Sequence, residues 1–153
     1  MRAILQVGYA VRRAIFGLIR EPTVGVKVML FNGAGEVLLV RNSYGNSRLF
    51  LLPGGGVSSR ESPAQAAIRE MREELGVDIG EPDLAWTYRS GAEGKRDTIH
   101  LFRAAASGEI HIDDVEVVEA KYFDLDSLPE TTSPATRRRI AEISGERAYD
   151  GRW

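Results

Sequence analysis

The segment that most restricts how this chain can fold is one sharply delimited helix set between β-rich runs. Ser62-Pro63-Ala64-Gln65 has the form of a capping box with proline at the first helical position, and Gly76 stands where a left-handed C-cap belongs. The spacing predicts a helix over Pro63 to Leu75, with Ala64, Ala67, Ile68, Met71 and Leu75 as its apolar stripe, facing a sheet. Before it, TVGVKVMLF, the turn NGAG and EVLLVRN read as a hairpin, and LFLLP as a further short strand. After it, DLAWTYRS and DTIHLFRAAA flank the loop GAEGKR as a second hairpin, and EAKYFDL reads as one more strand. SPATRRRIAEI is a C-terminal helix with Ser133 as N-cap and Pro134 at its first position. Strands on either side of a single central helix argue for an α+β domain with a mixed sheet and helices on its faces.

A length of 153 residues suits one domain, placed here at 23–153. Ahead of it, Ile4, Val7, Val11, Ile15 and Leu18 recur at helical spacing up to Pro22, so 1–22 is expected to be an amphipathic N-terminal helix, although Gly8 and Gly17 weaken it. Such a helix packs on its own domain or on a second subunit, which makes a homodimer possible; a cationic helix lying on lipid is the alternative. Arg12 and Arg13 interrupt the apolar run well short of the roughly 20 residues a membrane span needs, so no span is expected and the reading is cytoplasmic. With 20 basic against 22 acidic side chains the formal charge is -2, so no global field recruits nucleic acid, and no stable nucleic-acid partner is expected. The absence of cysteine removes disulfides, thiol nucleophiles and cysteine metal sites.

The chemistry gathers on the central helix. At about 100° per residue, Glu70, Glu73 and Glu74 fall within one arc on a different side from the apolar stripe. Like charges three and four residues apart repel unless a cation sits among them. A hard divalent ion such as Mg2+ suits carboxylates plus substrate phosphates, and Arg69, four residues before Glu73, is placed to pair with it. On the helix alone, an ordinary solvated face with arginines relieving the glutamates is the favoured reading.

A wider spacing narrows the choice: Gly55, five residues, Glu61, seven residues, then Arg69-Glu70-Met71-Arg72-Glu73-Glu74-Leu75-Gly76-Val77. This resembles, position for position, the signature of the Nudix hydrolases. At roughly 7% per position, seven fixed residue types coincide about once in 10⁸ placements. The flanking elements resemble the Nudix α/β/α sandwich, with its mixed β-sheet, over about Thr23 to Ile143, which leaves the expected N-terminal helix as an addition. The resemblance implies hydrolysis of a phosphoanhydride bond in a nucleoside diphosphate linked to another moiety, with Mg2+ as cofactor and Mn2+ as a substitute. It implies Glu70, Glu73 and Glu74 as metal ligands together with the Gly55 carbonyl, Glu70 as a general-base candidate, Arg69 orienting the glutamates and Glu61 buttressing the turn into the helix. A further carboxylate from a later loop often joins as ligand or base in this family, and Glu116 and Glu119 are the best placed for the two roles. A Nudix-fold module that binds nucleotide without turnover is the rival reading.

For the substrate, Arg41, Tyr44, Arg48 and Phe50 offer guanidinium and aromatic surface between the second strand and the glycine loop. Trp86, Tyr88, His100 and Phe102 alternate on strands and are expected in the core; His100 and His111 are too few for a zinc site. Arg137-Arg138-Arg139 reads as a solvated face. PGGGV lacks the pattern of a Walker loop or a dinucleotide fingerprint, so its glycines are read as letting backbone approach the metal. Sequence features tied to hydrolases of ADP-ribose, NADH or dinucleoside polyphosphates in this family are not found, which leaves the substrate open.

Overall fold

Strand β1, Val24–Phe31, alternates its side chains between two interiors and so organises the computed structural model of the chain, which describes residues 23–91, 96–112 and 114–153. The expected helix over 1–22 lies outside the described residues. Val26, Val28 and Leu30 enter one apolar cluster, while Met29 and Phe31 join another. A strand can serve two cores only when the sheet is covered on both faces, because successive side chains point opposite ways.

Strand β1 runs parallel to β5, Asp97–Ala105, in continuous register from Val24 against Thr98 to Phe31 against Ala105. On its other side it divides its partners. The glycine strand β3, Gly54–Gly56, pairs antiparallel with Gly25 to Lys27, and β2, Val37–Asn42, meets β1 only at Phe31 and Val37. The expected first hairpin is therefore real at its tip, where Asn32 Oδ1 accepts the amides of Ala34 and Glu36, and then opens. Strands β4, Asp83–Ser90, and β6, Val117–Phe123, pair antiparallel with β5 and β2, giving a mixed sheet of order β4-β5-β1-β2-β6 with β3 beside β1. The expected strand LFLLP is reduced to isolated bridges at Phe50 and Leu51, since Pro53 has no amide to offer a ladder.

Helix α1, Pro63–Leu75, covers the face bearing Val26, Leu38, Val40 and Phe102. Helix α2, Pro134–Ile143, covers the face bearing Met29, Leu39, Tyr88 and Leu101. The chain therefore has the α/β/α arrangement that the resemblance implied. No helix among the described residues is long and apolar enough to cross a membrane.

The arginine triplet departs from its expected solvated face. Arg137 stays exposed, but Arg139 is fully buried (0% exposed), ion-paired to Glu142 at 2.9 Å and stacked over the rings of Tyr88 and Trp153. Its Nη1 also donates to the Arg152 carbonyl at 2.7 Å, and the Tyr88 hydroxyl donates to Glu142 at 2.5 Å. The last residues are brought there by β4, where the Arg89 amide donates to Gly151 and the Trp153 amide to Arg89. Burial of a charge requires such pairing and hydrogen bonding; Glu142 stands three residues on along the same helix, but Tyr88 and the Arg152-Trp153 end come from other segments, which helical periodicity does not reveal.

Candidate active site

Helix α1 begins where the sequence places it. Ser62 Oγ accepts the Gln65 amide at 3.2 Å and the Gln65 side chain accepts the Ser62 amide at 2.8 Å, while Gly76 closes the helix at φ 66°. The carboxylates lie differently from the simple helical-wheel expectation. Glu70 (6% exposed) and Glu74 (3%) are buried along with Ala67, Met71 and Leu75, and only Glu73 faces outward. Strand β3 makes this possible, because three residues without side chains leave room for acids between helix and sheet.

Each glycine of β3 meets the site. The Gly54 amide donates to Glu74 Oε2 at 3.1 Å. Gly54 has φ +144°, and a Cβ there would fall on the Val26 carbonyl oxygen, so glycine is required. Gly55 lies flush against Glu70, where a Cβ would overlap the carboxylate. The Gly56 carbonyl accepts Arg69 Nη2 at 2.9 Å.

Arg69 holds the acids together. It grips Glu61 through two bonds, Nε to Oε2 at 3.0 Å and Nη2 to Oε1 at 2.6 Å, and its Nη1 reaches Glu70 at 2.9 Å and Glu73 at 3.0 Å. Glu61 Oε1 also accepts the Ser58 amide at 2.9 Å. The Arg69 hydrogen bonds hold the Glu61 carboxyl down at about 2, against an ordinary 4.5, with the Ser58 amide adding to the effect. The same contact with Glu61 pushes the guanidinium further toward its charged form. Fork geometry explains why arginine and not lysine stands here.

No three His, Asp or Glu side chains form a ready cation cage among the described residues. The donor chemistry nonetheless fits a hard divalent ion: carboxylates on one helix face a strand whose backbone is bare of side chains at the point of approach.

The remaining expected site residues are dispersed. Arg41 and Glu119 are cross-strand partners joined by an ion pair, on the face that carries Phe50 and Phe123 and away from α1. Glu119 is thus not brought to the helix acids. Phe50, expected as a stacking surface, is instead core: 7% exposed, edge-on to Phe123 at 4.9 Å and under the Arg41 guanidinium. Tyr44 is exposed and its hydroxyl accepts Asn42 Nδ2 at 3.1 Å; Arg48 is exposed as well. The Glu116 carbonyl accepts the Ser43 amide at 2.9 Å, which sets that residue at the same end of the sheet as β3. A cavity of about 950 Å³ lined by Phe31, Trp86, Arg103 and Ile143 opens at the other end and holds none of these residues. Sequence reasoning passed over Lys27, whose Nζ donates to the Leu52 carbonyl at 2.9 Å beside the glycine strand; the visible signal was a lone lysine in an apolar strand.

The family model described as NUDIX domain matches residues 21–143. An RNA pyrophosphohydrolase of Roseobacter denitrificans is 45% identical over 65 residues, which cover 42% of this chain and 38% of that protein. The NAD-capped RNA hydrolase NudC of Pseudomonas aeruginosa is 31% identical over 103 residues, covering 67% of this chain and 36% of its own length. The chain thus spans well under half the length of these curated relatives. Among solved structures, a MutT NUDIX hydrolase from Burkholderia pseudomallei superposes with a TM-score of 0.71 at 26% identity, over 80% of this chain and 98% of that one.

Proposed function

The chain belongs to the NUDIX family, and from that premise we propose that it is a divalent-metal-dependent hydrolase of a phosphoanhydride bond in a nucleotide-like diphosphate. The observation that carries this reading is the joint placement of Glu61, Glu70 and Glu73 around Arg69, with Gly55 flush against Glu70 and the Gly54 amide on Glu74. A purely decorative acidic surface does not bury two of its carboxylates against a strand that has no side chains.

Glu70, Glu73 and Glu74, with the backbone carbonyl of Gly55, are the residues that would hold Mg2+, for which Mn2+ is a substitute. When bound, that ion supplies charge stabilisation on the pyrophosphate oxygens and a more acidic attacking water. Glu70, seated between Arg69 and Gly55, is the candidate to take the proton of that water, and Glu116, at the same end of the sheet, is the candidate for a further ligand. Glu119 is better read as holding Arg41 in place than as the base. Arg69 fixes the rotamers of Glu70 and Glu73, and Glu61, ionised at all ordinary pH, anchors Arg69 in turn. Arg41 and the exposed Tyr44 and Arg48 remain the candidates for contact with the nucleotide, and Phe50 lies beneath the Arg41 guanidinium.

The substrates are then nucleoside triphosphates or other diphosphate-linked nucleotides, including phosphorylated or NAD-capped RNA ends as the named relatives suggest. RNA would be met as a substrate end, in keeping with a formal net charge of -2. The test is a turnover screen with Mg2+ over nucleoside triphosphates, sugar nucleotides, ADP-ribose, dinucleoside polyphosphates and 5′-triphosphorylated RNA. Turnover that is abolished by chelation and lowered at least a hundredfold in Glu73→Gln supports the proposal. Wild-type rates in Glu73→Gln overturn it, as does ligand-dependent melting without turnover across the panel, which favours a binding module.

A further inference from the structure

We infer that Lys27 is a positioning residue for the carboxylate site, clamping the chain that leads into β3 so that the glycines lie in register beneath Glu70 and Glu74. The inference rests on the reading of those acids as the catalytic set.

Lys27 is the one charged residue in β1, whose other inward positions are Val26, Val28, Met29 and Leu30, all buried. It is half-buried in a strand flanked by β5 on one side and β3 on the other. An ammonium in such a place is costly unless bonded, and its Nζ donates to the Leu52 carbonyl at 2.9 Å. The sequence of the opposing segment supplies the reason. Pro53 has no N–H, so the backbone ladder between β1 and the incoming chain lacks a donor on that side. Three successive residues are nevertheless tied to β1: Leu52 by the lysine side chain, Pro53 by its carbonyl accepting the Val28 amide at 3.0 Å, and Gly54 as the register partner of Lys27. The side chain thus extends the ladder one step beyond where backbone alone carries it. Immediately downstream, Gly54 bonds Glu74, Gly55 abuts Glu70 and Gly56 accepts Arg69. A slip in that segment therefore displaces the acids, and misplacement of about 1 Å costs on the order of a hundredfold in rate.

The experiment compares Lys27→Met and Lys27→Arg with wild type in amide exchange at Gly54 and Gly55, in the half-saturating Mn2+ concentration, and in kcat and KM for a substrate from the screen. Expected for Lys27→Met are exchange at those amides at least tenfold faster, a raised Mn2+ midpoint, and kcat lowered ten- to a hundredfold with KM within about twofold. Lys27→Arg, which keeps a donor, returns all three to within about threefold of wild type. Unchanged exchange and kcat in Lys27→Met overturn the inference, as does failure of arginine to restore them. Lys27→Leu, which also lacks a donor, replaces the methionine variant if that one does not fold. A wild-type protein that neither binds Mn2+ nor turns over any substrate overturns the proposed function instead, and amide exchange then decides the clamp alone.

Discussion

Two arginines in this molecule each organise carboxylates, and they do so under opposite conditions. Arg139 is sealed between Tyr88 and Trp153 with Glu142 as its buried acid, whereas Arg69 sits at the edge of α1, a quarter exposed, shared among Glu61, Glu70 and Glu73. A buried pair closed by aromatic rings is fixed, and its removal leaves a stranded charge. An arginine that is itself partly exposed and shared among three acids can yield one of them without collapse. The first arrangement suits a core and the second the proposed cation site, where the partners of Glu70 and Glu73 would change on binding.

The comparison breaks most visibly at the core. Arg139→Ala should lower unfolding free energy by about 3–5 kcal/mol in urea titration, because Glu142 loses its buried counter-charge, while turnover per folded molecule stays near wild type. Arg69→Ala should reverse that profile: a loss of about 1–2 kcal/mol in stability but a fall of roughly a hundredfold in kcat, measured on the best substrate of the screen.

Glu61 sharpens the contrast through pH. Its carboxyl is held at about 2 in the folded chain against 4.5 ordinarily, so its contribution to stability is present above pH 4.5 and lost as the pH falls through about 2. Denaturation midpoints followed between pH 5 and 2 should therefore drop less steeply in Glu61→Gln than in wild type; identical slopes would contradict the Arg69 clamp. The smallest effect belongs to a third arginine. Arg72 pairs with Asp78 at 2.6 Å with both side chains mostly exposed, so Arg72→Ala should change stability by no more than about 0.5 kcal/mol in the same titration.

Local signals explain what was legible from sequence. Helix α1 was readable to its ends because Ser62, Gln65 and Gly76 are chemical punctuation, and the acids were readable because their spacing to Gly55 and Glu61 is rare. The faces were less legible. Glu70 and Glu74 are buried because β3 lacks side chains, a fact of packing between elements and not of helical periodicity. Phe50 and Arg139 differ from their expected exposure for the same reason: each is enclosed by residues of other elements, Phe123 and Arg41 in one case, Tyr88 and Trp153 in the other. The partial hairpin of β1 and β2 depends on competition from β3 and β5 for the same strand, which alternation in β1 alone does not disclose.

That shared strand has an evolutionary consequence. Because even-numbered residues of β1 from Val26 to Leu30 serve the α1 interior while Met29 and Phe31 serve the other, inserting or deleting one codon within it would exchange the occupants of both at once. Divergence in length should therefore collect in the exposed stretch around Ser43 to Arg48, leaving β1 free to vary in letters but not in count.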